Sequence, residues 1–439
     1  MDGHGLPVEQ ELALVGGADP GDRLDQRGLA GAVVADERDL TASAVVDQDE
    51  GISLRTAARK LAEGELGPLR VLIVLAVIWL VFTIANSSFL TAINLTNLAL
   101  QTAGLGMISV GVVLVLLLGE IDLSVGAVSG VCAGIVAVLN VKNGWNPYLA
   151  MLAGLGAGAI IGLAQGTICT RFEIPSFVVT LAGLLVWQGA QLQVLGATGT
   201  VNISAPAITN LAGAFLADWL GWVVAIAASA AVAAIALRRH RRRAAAGLEL
   251  QSPVTLAISI AAPILGILAS VWVVNQDRGV PVALIILVGA VVLFAFITTR
   301  LTFGRHIFAV GGNAEAARRA GIQVAWIRTT VFVLASMLAA AGGILLAARL
   351  LAVNQSSGGS DLLLNAIAGP VIAGVSLFGG RGSVWAALLG ALVIQSISNG
   401  MDLLALESSV KFMVTGGVLI GAVMLDAISR QRRRSVGRV

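Results

Sequence analysis

The sequence predicts an all-α integral membrane protein, a polytopic helical bundle of about twelve transmembrane helices with both termini cytoplasmic. Three observations predict it. Of the 439 residues, 57% are hydrophobic and only 12% are charged, where soluble domains carry about 25% charged residues. Apolar runs approaching the roughly 20 residues that a bilayer span requires recur from Val71 onward. Glycine is abundant at 52 residues and aromatics are few at 5%, a composition that lets membrane helices approach closely.

The elements follow in chain order. Residues 1–68 hold 14 acidic and six basic side chains and form an acidic cytoplasmic extension. Its first 50 residues lack aromatics and read as largely disordered. The stretch "SLRTAARKLAEGELG" contains good helix formers and reads as a surface helix leading into the membrane. The start has neither the basic n-region nor the apolar h-region of a signal peptide. A transmembrane domain over 69–428 follows, with spans at 70–86, 98–118, 122–140, 148–168, 177–195, 219–237, 254–274, 281–299, 329–350, 363–378, 384–398 and 410–427. Residues 429–439 form a basic tail.

Orientation comes from the short loops. One set carries Arg171, the cluster Arg238–Arg243, Arg300, Arg305, Arg318, Arg319, Arg328, Arg381 and the tail "RQRRRSVGR". The other set carries only Lys142, Arg278, Arg349 and Lys411. Excess Lys and Arg mark the cytoplasmic side. Because the bases flank apolar runs, they set topology and imply membrane lipid, not nucleic acid, as the neighbour.

Covalent chemistry is not indicated. No G-x-x-x-x-G-K-[ST] phosphate loop exists; the three lysines, Lys60, Lys142 and Lys411, each follow a residue other than glycine. His4, His240 and His306 lie in the extension or in loops, and Cys132 and Cys169 match no metal or disulfide spacing, so buried packing is expected for both. An intramembrane enzyme would need a buried nucleophile and base placed together, which the sequence does not offer.

Two polar features stand out. "GEIDLSVGAVSG" (119–130) puts Glu120 and Asp122 between apolar runs, and "GGRGSVWAALLGAL" faintly echoes it later in the chain. Intramembrane carboxylates are costly and mark function by default. Three readings remain open for them. They form a solvated turn in which Asp122 or Ser124 caps the third span. Alternatively a broken helix dips into the bundle, with Asp122 and Ser124 satisfying freed backbone groups. A proton-coupling site is the third, for which no partner acid or His is evident. The second feature is the connection 300–328, whose "NAEAARRAG" is a punctuated short helix. Asn313 caps it, Glu315 stands in the first turn, Arg318 and Arg319 in the last, and Gly321 makes the left-handed stop. Too short to persist alone in water, it lies either on its own protein or in another protein's groove.

"GEIDLSVG", "IPSFVVTLAG" (174–183), "GRHIFAVGGNAEAARRAGI" (304–322) and "SLFGGRGSVWAALLGA" (376–391) resemble, in order, the permease subunits of ABC-type monosaccharide importers, over about residues 69–428. The added pair of spans around "RRHRRRAAAGLELQSP" and "NQDRGVP" resembles the xylose-type branch. The resemblance implies a bacterial inner-membrane subunit that forms the path for xylose or a related pentose by alternating access, as a homodimer or heterodimer of permeases. A periplasmic or lipid-anchored sugar-binding protein delivers substrate. A separate cytoplasmic ABC ATPase uses ATP and Mg, this chain binding no cofactor itself. "NAEAARRAG" becomes the ATPase-coupling helix, with Asn313, Glu315, Ala316, Ala317, Arg318 and Gly321 carried over. The rival within transport is an ion-coupled secondary transporter working without an ATPase.

A neutral polyol asks for amides, hydroxyls and an aromatic face. Thr180, Trp187 and Gln191 share one face of the fifth span, with Gln188 beside them; Gln101 and Asn365 are further candidates. Many relatives carry an acid where this chain has Asn365, so no charge-based role is expected there. Pro370 is expected to kink the tenth span.

Overall fold

The computed structural model describes residues 67–248, 250 and 252–435. Residues 1–66 of the acidic extension, with its expected surface helix, and residues 436–439 of the tail lie outside the described residues. The helices are α1 (Gly67–Ala85), α2 (Ala92–Leu117), α3 (Val125–Ala137) running on into a π-turn (Val138–Lys142), α4 (Pro147–Arg171) and α5 (Ser176–Leu195). There follow α6 (Pro206–Gly213), α7 (Asp218–Ala245), α8 (Pro253–Val274), α9 (Val282–Arg300), α10 (Thr302–Gly312) and α11 (Ala314–Arg319). The chain closes with α12 (Val324–Leu350), α13 (Ser360–Ile372), α14 (Trp385–Leu403) and α15 (Ser408–Ser435). Strands β1 (Thr200–Asn202) and β2 (Ala352–Asn354) pair antiparallel with Val201 opposite Val353.

Among the described residues nine helices are long and apolar enough to cross a membrane, while the apolar stretches Val71–Ala85 and Ser360–Ile372 are shorter. The expected span 363–378 is therefore corrected. Pro370 does not kink a longer helix but sits in the last turn of α13. Gly374 takes φ +93, Gly374 N–H donates to Val371 O at 3.0 Å, and Val375 N–H donates to Pro370 O at 2.9 Å. That is a left-handed glycine stop closing the free carbonyls, and residues 373–378 leave the helix.

Helix α2 is the axis of the molecule. Its side chains are almost continuously buried from Thr102 to Leu117, because it is apolar all round and encased by α12, α14, α9 and α13. Helix α12 lies between α2 and α4. Gly154, Gly158, Gly162 and Gly166 form one stripe along α4; a Cβ at Gly158 would stand 2.8 Å from Ser336 O, and one at Gly166 2.8 Å from Thr329 Cα. Lipid offers no hydrophobic drive between helices, so such backbone proximity supplies the packing. Cys132 and Cys169 are buried free thiols, as expected.

Polar bonds fix the helices that close packing cannot. Asn94 on α2 and Asn399 on α14 exchange a reciprocal buried amide pair, Nδ2 to Oδ1 at 2.8 Å and 3.0 Å. Trp79 Nε1 of α1 donates to Ser396 Oγ of α14 at 3.0 Å. At one end the α7–α8 hairpin is fastened: Leu216 N–H donates to Val280 O at 2.9 Å, and Arg278 Nη2 donates to Asn97 Oδ1 of α2 at 2.9 Å.

Candidate functional site

Three irregular segments meet at the end of the bundle that carries most of the arginines. They are the break after α2, the α10–α11 junction and the loop between α13 and α14. Gly380 N–H donates to Leu117 O at 3.0 Å. Gly119 (φ +76) and Gly379 (φ +79) pack backbone to backbone, and any Cβ at Gly311 would run into the Leu117 carbonyl. Only glycine allows these three segments to approach this closely, and at Gly119 and Gly379 it also allows the positive φ. The two echoed motifs thus touch, a juxtaposition that their resemblance in sequence did not reveal.

The break itself is a bonded unit. Asp122 is only 4% exposed and Ser124 is fully buried. Asp122 Oδ1 accepts from both Ser124 N–H and Ser124 Oγ at 2.7 Å. Gln165 Nε2 of α4 donates to Ser124 Oγ at 2.9 Å. From α5, Thr180 Oγ1 accepts from Leu123 N–H at 3.0 Å, and Ser176 Oγ accepts from Ile121 N–H at 3.2 Å. Unwound backbone that is buried inside protein must be satisfied in this way. The solvated-turn reading is overturned by this burial, and Ser124, though it occupies the N-cap of α3, makes no side-chain capping bond. Asp122 Oδ2 is buried without a partner. Glu120 is less deeply set and pairs with Arg328 Nη2 of α12 at 2.9 Å.

The α11 helix has the punctuation its sequence encodes. Asn313 Oδ1 accepts from Ala316 N–H at 2.9 Å. At the other end Gly321 takes φ +84, with Gly321 N–H donating to Arg318 O and Ile322 N–H to Ala317 O, each at 3.0 Å. The helix is six residues, with Asn313 and Ala320 as its caps. Ala317 is buried against the body, while Glu315, Ala316, Arg318 and Arg319 are exposed. Glu315 pairs with Arg319 at 3.2 Å and Arg318 at 3.5 Å, exposed pairs that contribute little. Charged and small side chains are left facing outward.

The expected sugar residues scatter. Thr180 is fully buried and committed to the break. Gln191 is buried, its Nε2 donating to Asn354 O at 2.8 Å and Ser357 O at 2.9 Å, so it holds the loop after β2. Trp187 and Gln188 are half-buried, and Trp187 Nε1 finds no partner. Gln101 and Asn365 are half-buried on α2 and α13, with Asn365 Oδ1 unpartnered. A cavity of about 160 Å³ opens elsewhere, at the end of the bundle holding the β-strands, lined in part by Ser129, Ser356, Ser357 and Asp361. None of the expected sugar residues lines it. Sequence reasoning also missed Gln165, Ser176 and Arg328; a Gln within an otherwise apolar span was the available signal for the first. Among the described residues no three His, Cys, Asp or Glu side chains group as a metal site.

Residues 94–425, from the start of α2 into α15, match the family model described as "Branched-chain amino acid transport system / permease component". The chain belongs to this permease family. The xylose transport system permease protein XylH of Escherichia coli K12 is 35% identical over 349 residues, 79% of this chain and 88% of the relative. XylH of Haemophilus influenzae is 33% identical over 362 residues, 82% of this chain and 96% of the relative. The ribose import permease protein RbsC of Bacillus subtilis is 30% identical, again over 362 residues, 82% of this chain and 92% of the relative. No solved structure matches. Within this chain the matched region contains the whole knot of breaks, the α10–α11 junction and the Glu120–Arg328 pair.

Proposed function

We propose that the chain is the transmembrane subunit of an ATP-driven importer for xylose or a related pentose, in the inner membrane of a bacterium. The names of its relatives supply the substrate class, and the inserted α7–α8 hairpin agrees with the xylose-type branch. Twelve crossings with both termini cytoplasmic put the arginine-rich end inside. There α11 seats on a separate ATPase that uses ATP and Mg, while a sugar-binding protein delivers substrate to the opposite face. Two permease chains, identical or closely related, complete the path. The subunit itself catalyses no covalent step.

One observation carries the mechanism: the α10–α11 junction touches the α2–α3 break directly, through Gly311 against Leu117, and again through Arg328 on α12 to Glu120. Displacement of α11 by the ATPase is therefore delivered to buried, unwound backbone, a bistable element of the kind on which alternating access depends. The cavity beneath the α13 N-terminus serves as the receiving end of the path. Its small polar side chains and backbone groups suit hydroxyls, and no counter-charge is needed for a neutral sugar.

The test is reconstitution. Vesicles holding this chain with its ATPase and binding protein should accumulate xylose only when ATP is inside. Accumulation by the chain alone, abolished by an uncoupler, would establish the ion-coupled alternative.

A further inference from the structure

The α7–α8 hairpin touches the body near Val280 and then stands away from it, leaving a cleft of about 2120 Å³ between hairpin and body. The walls are apolar along the bundle, from Leu95 and Val280 near one face to Ile235 and Val292 near the other. The cleft's far end is different: the exposed Arg381 stands there with Ser376 and Ser383. One turn beyond Ile235, α7 continues as a helix through the exposed Arg238, Arg239, Arg241 and Arg242. At 28 residues α7 is about 42 Å long, so its arginines emerge beyond a hydrocarbon core of about 30 Å, at headgroup level.

We propose that this cleft is a binding site for an anionic phospholipid, with its acyl chains between hairpin and body and its headgroup between Arg381 and the α7 arginines. An apolar gap of this size cannot stay empty in a membrane, because its walls would lack partner atoms. Charge selects the occupant. A helix from a second copy would bring its own arginine-rich end to the same mouth and be repelled, whereas an anionic headgroup is complementary to both walls. Basic pockets between membrane helices on the cytoplasmic side have this chemistry in general. The proposal shares the membrane orientation given above but requires no transport, so the two can fail separately.

The experiment uses the full chain in detergent, mixed with equal amounts of phosphatidylglycerol and phosphatidylcholine, and reads retained lipid by native mass spectrometry. Phosphatidylglycerol should be retained roughly fivefold or more over phosphatidylcholine, the preference expected of one cation at a lipid headgroup. Arg381→Gln should abolish most of that preference and Arg381→Lys should keep it. Gly266→Trp and Gly289→Trp fill the cleft at positions where an added Cβ meets nothing within 4 Å, and should release both lipids while leaving the melting temperature of the lipid-free chain unchanged. Equal retention of the two lipids, or an undiminished preference in Arg381→Gln, overturns the proposal. So does disulfide formation between two copies carrying Ala231→Cys, which would assign the cleft to a second chain.

Discussion

The Arg328 guanidinium of α12 meets the Glu120 carboxylate at 2.9 Å, joining the helix that follows the α11 turn to the break between α2 and α3. Both side chains are partly shielded, at 31% and 16% exposed. The pair therefore lies where removing one partner strands the other. Glu120→Gln or Arg328→Gln should each cut ATP-dependent uptake by about tenfold, from roughly 1 to 3 kcal/mol lost at a charged hydrogen bond. Exchanging the two, Glu120→Arg with Arg328→Glu, should restore part of it. Single variants with full uptake would leave the pair without a role in transmission.

At α11 the prediction separates folding from coupling. Glu315→Ala removes only exposed pairs and should leave the melting temperature unchanged while lowering transport-linked ATP hydrolysis. Gly321→Val forces a β-branched residue to φ +84 and should cost about 1 to 2 kcal/mol locally. Pull-down of the ATPase reports both, and a normal complex with normal uptake in Glu315→Ala would remove α11 from the interface.

Asp122 admits a finer test. Asn keeps the acceptor that serves Ser124 N–H and Oγ, whereas Ala removes it. Asp122→Ala should destabilise the chain by about 1 to 3 kcal/mol through two orphaned donors; Asp122→Asn should remain within about 1 kcal/mol of the wild type, since it loses neither bond. Uptake then divides the remaining readings. Wild-type transport in Asp122→Asn makes the residue a brace of the break, while loss of transport with intact stability requires the carboxylate itself.

The Asn94–Asn399 pair should behave as a coupled unit. Each single Ala substitution breaks the reciprocal pair, and Asn94, which also donates to Phe89 O at 2.8 Å, keeps that bond when Asn399 is removed. A double-mutant cycle by thermal unfolding in detergent should give a coupling of about 1 kcal/mol, in the range seen for hydrogen bonds between membrane helices. A coupling near zero would mean that other groups satisfy both amides.

The α4 stripe predicts a packing defect. Gly162→Leu drives its side chain into the Phe332 carbonyl on α12 and should cost about 1 to 3 kcal/mol as overpacking. Gly156→Leu, on the same helix where a Cβ meets nothing within 4 Å, is the matched control and should unfold like the wild type.

The sequence by itself determined the class of protein, the register of the long helices and the punctuation of α11. Each of these rests on local or additive physics. Apolar run length sets a span, and Asn313 and Gly321 satisfy helix ends within their own turn. Pro370 shows the limit of that reasoning: its effect depended on Gly374 four residues on, which made it part of a stop and not a kink. Only the tertiary structure decided where the polar residues act. Thr180, Trp187 and Gln191 do share a helical face, but which neighbour that face meets is a packing question. The answer turned Thr180 toward Ile121 and Leu123, and Gln191 toward Asn354 and Ser357. The meeting of Leu117, Gly311 and Gly380, and the bond from Arg328 to Glu120, join residues far apart in the chain. No period or cap in the chain encodes such a contact, because it exists only once α2, α12 and the loop before α14 have closed on one another.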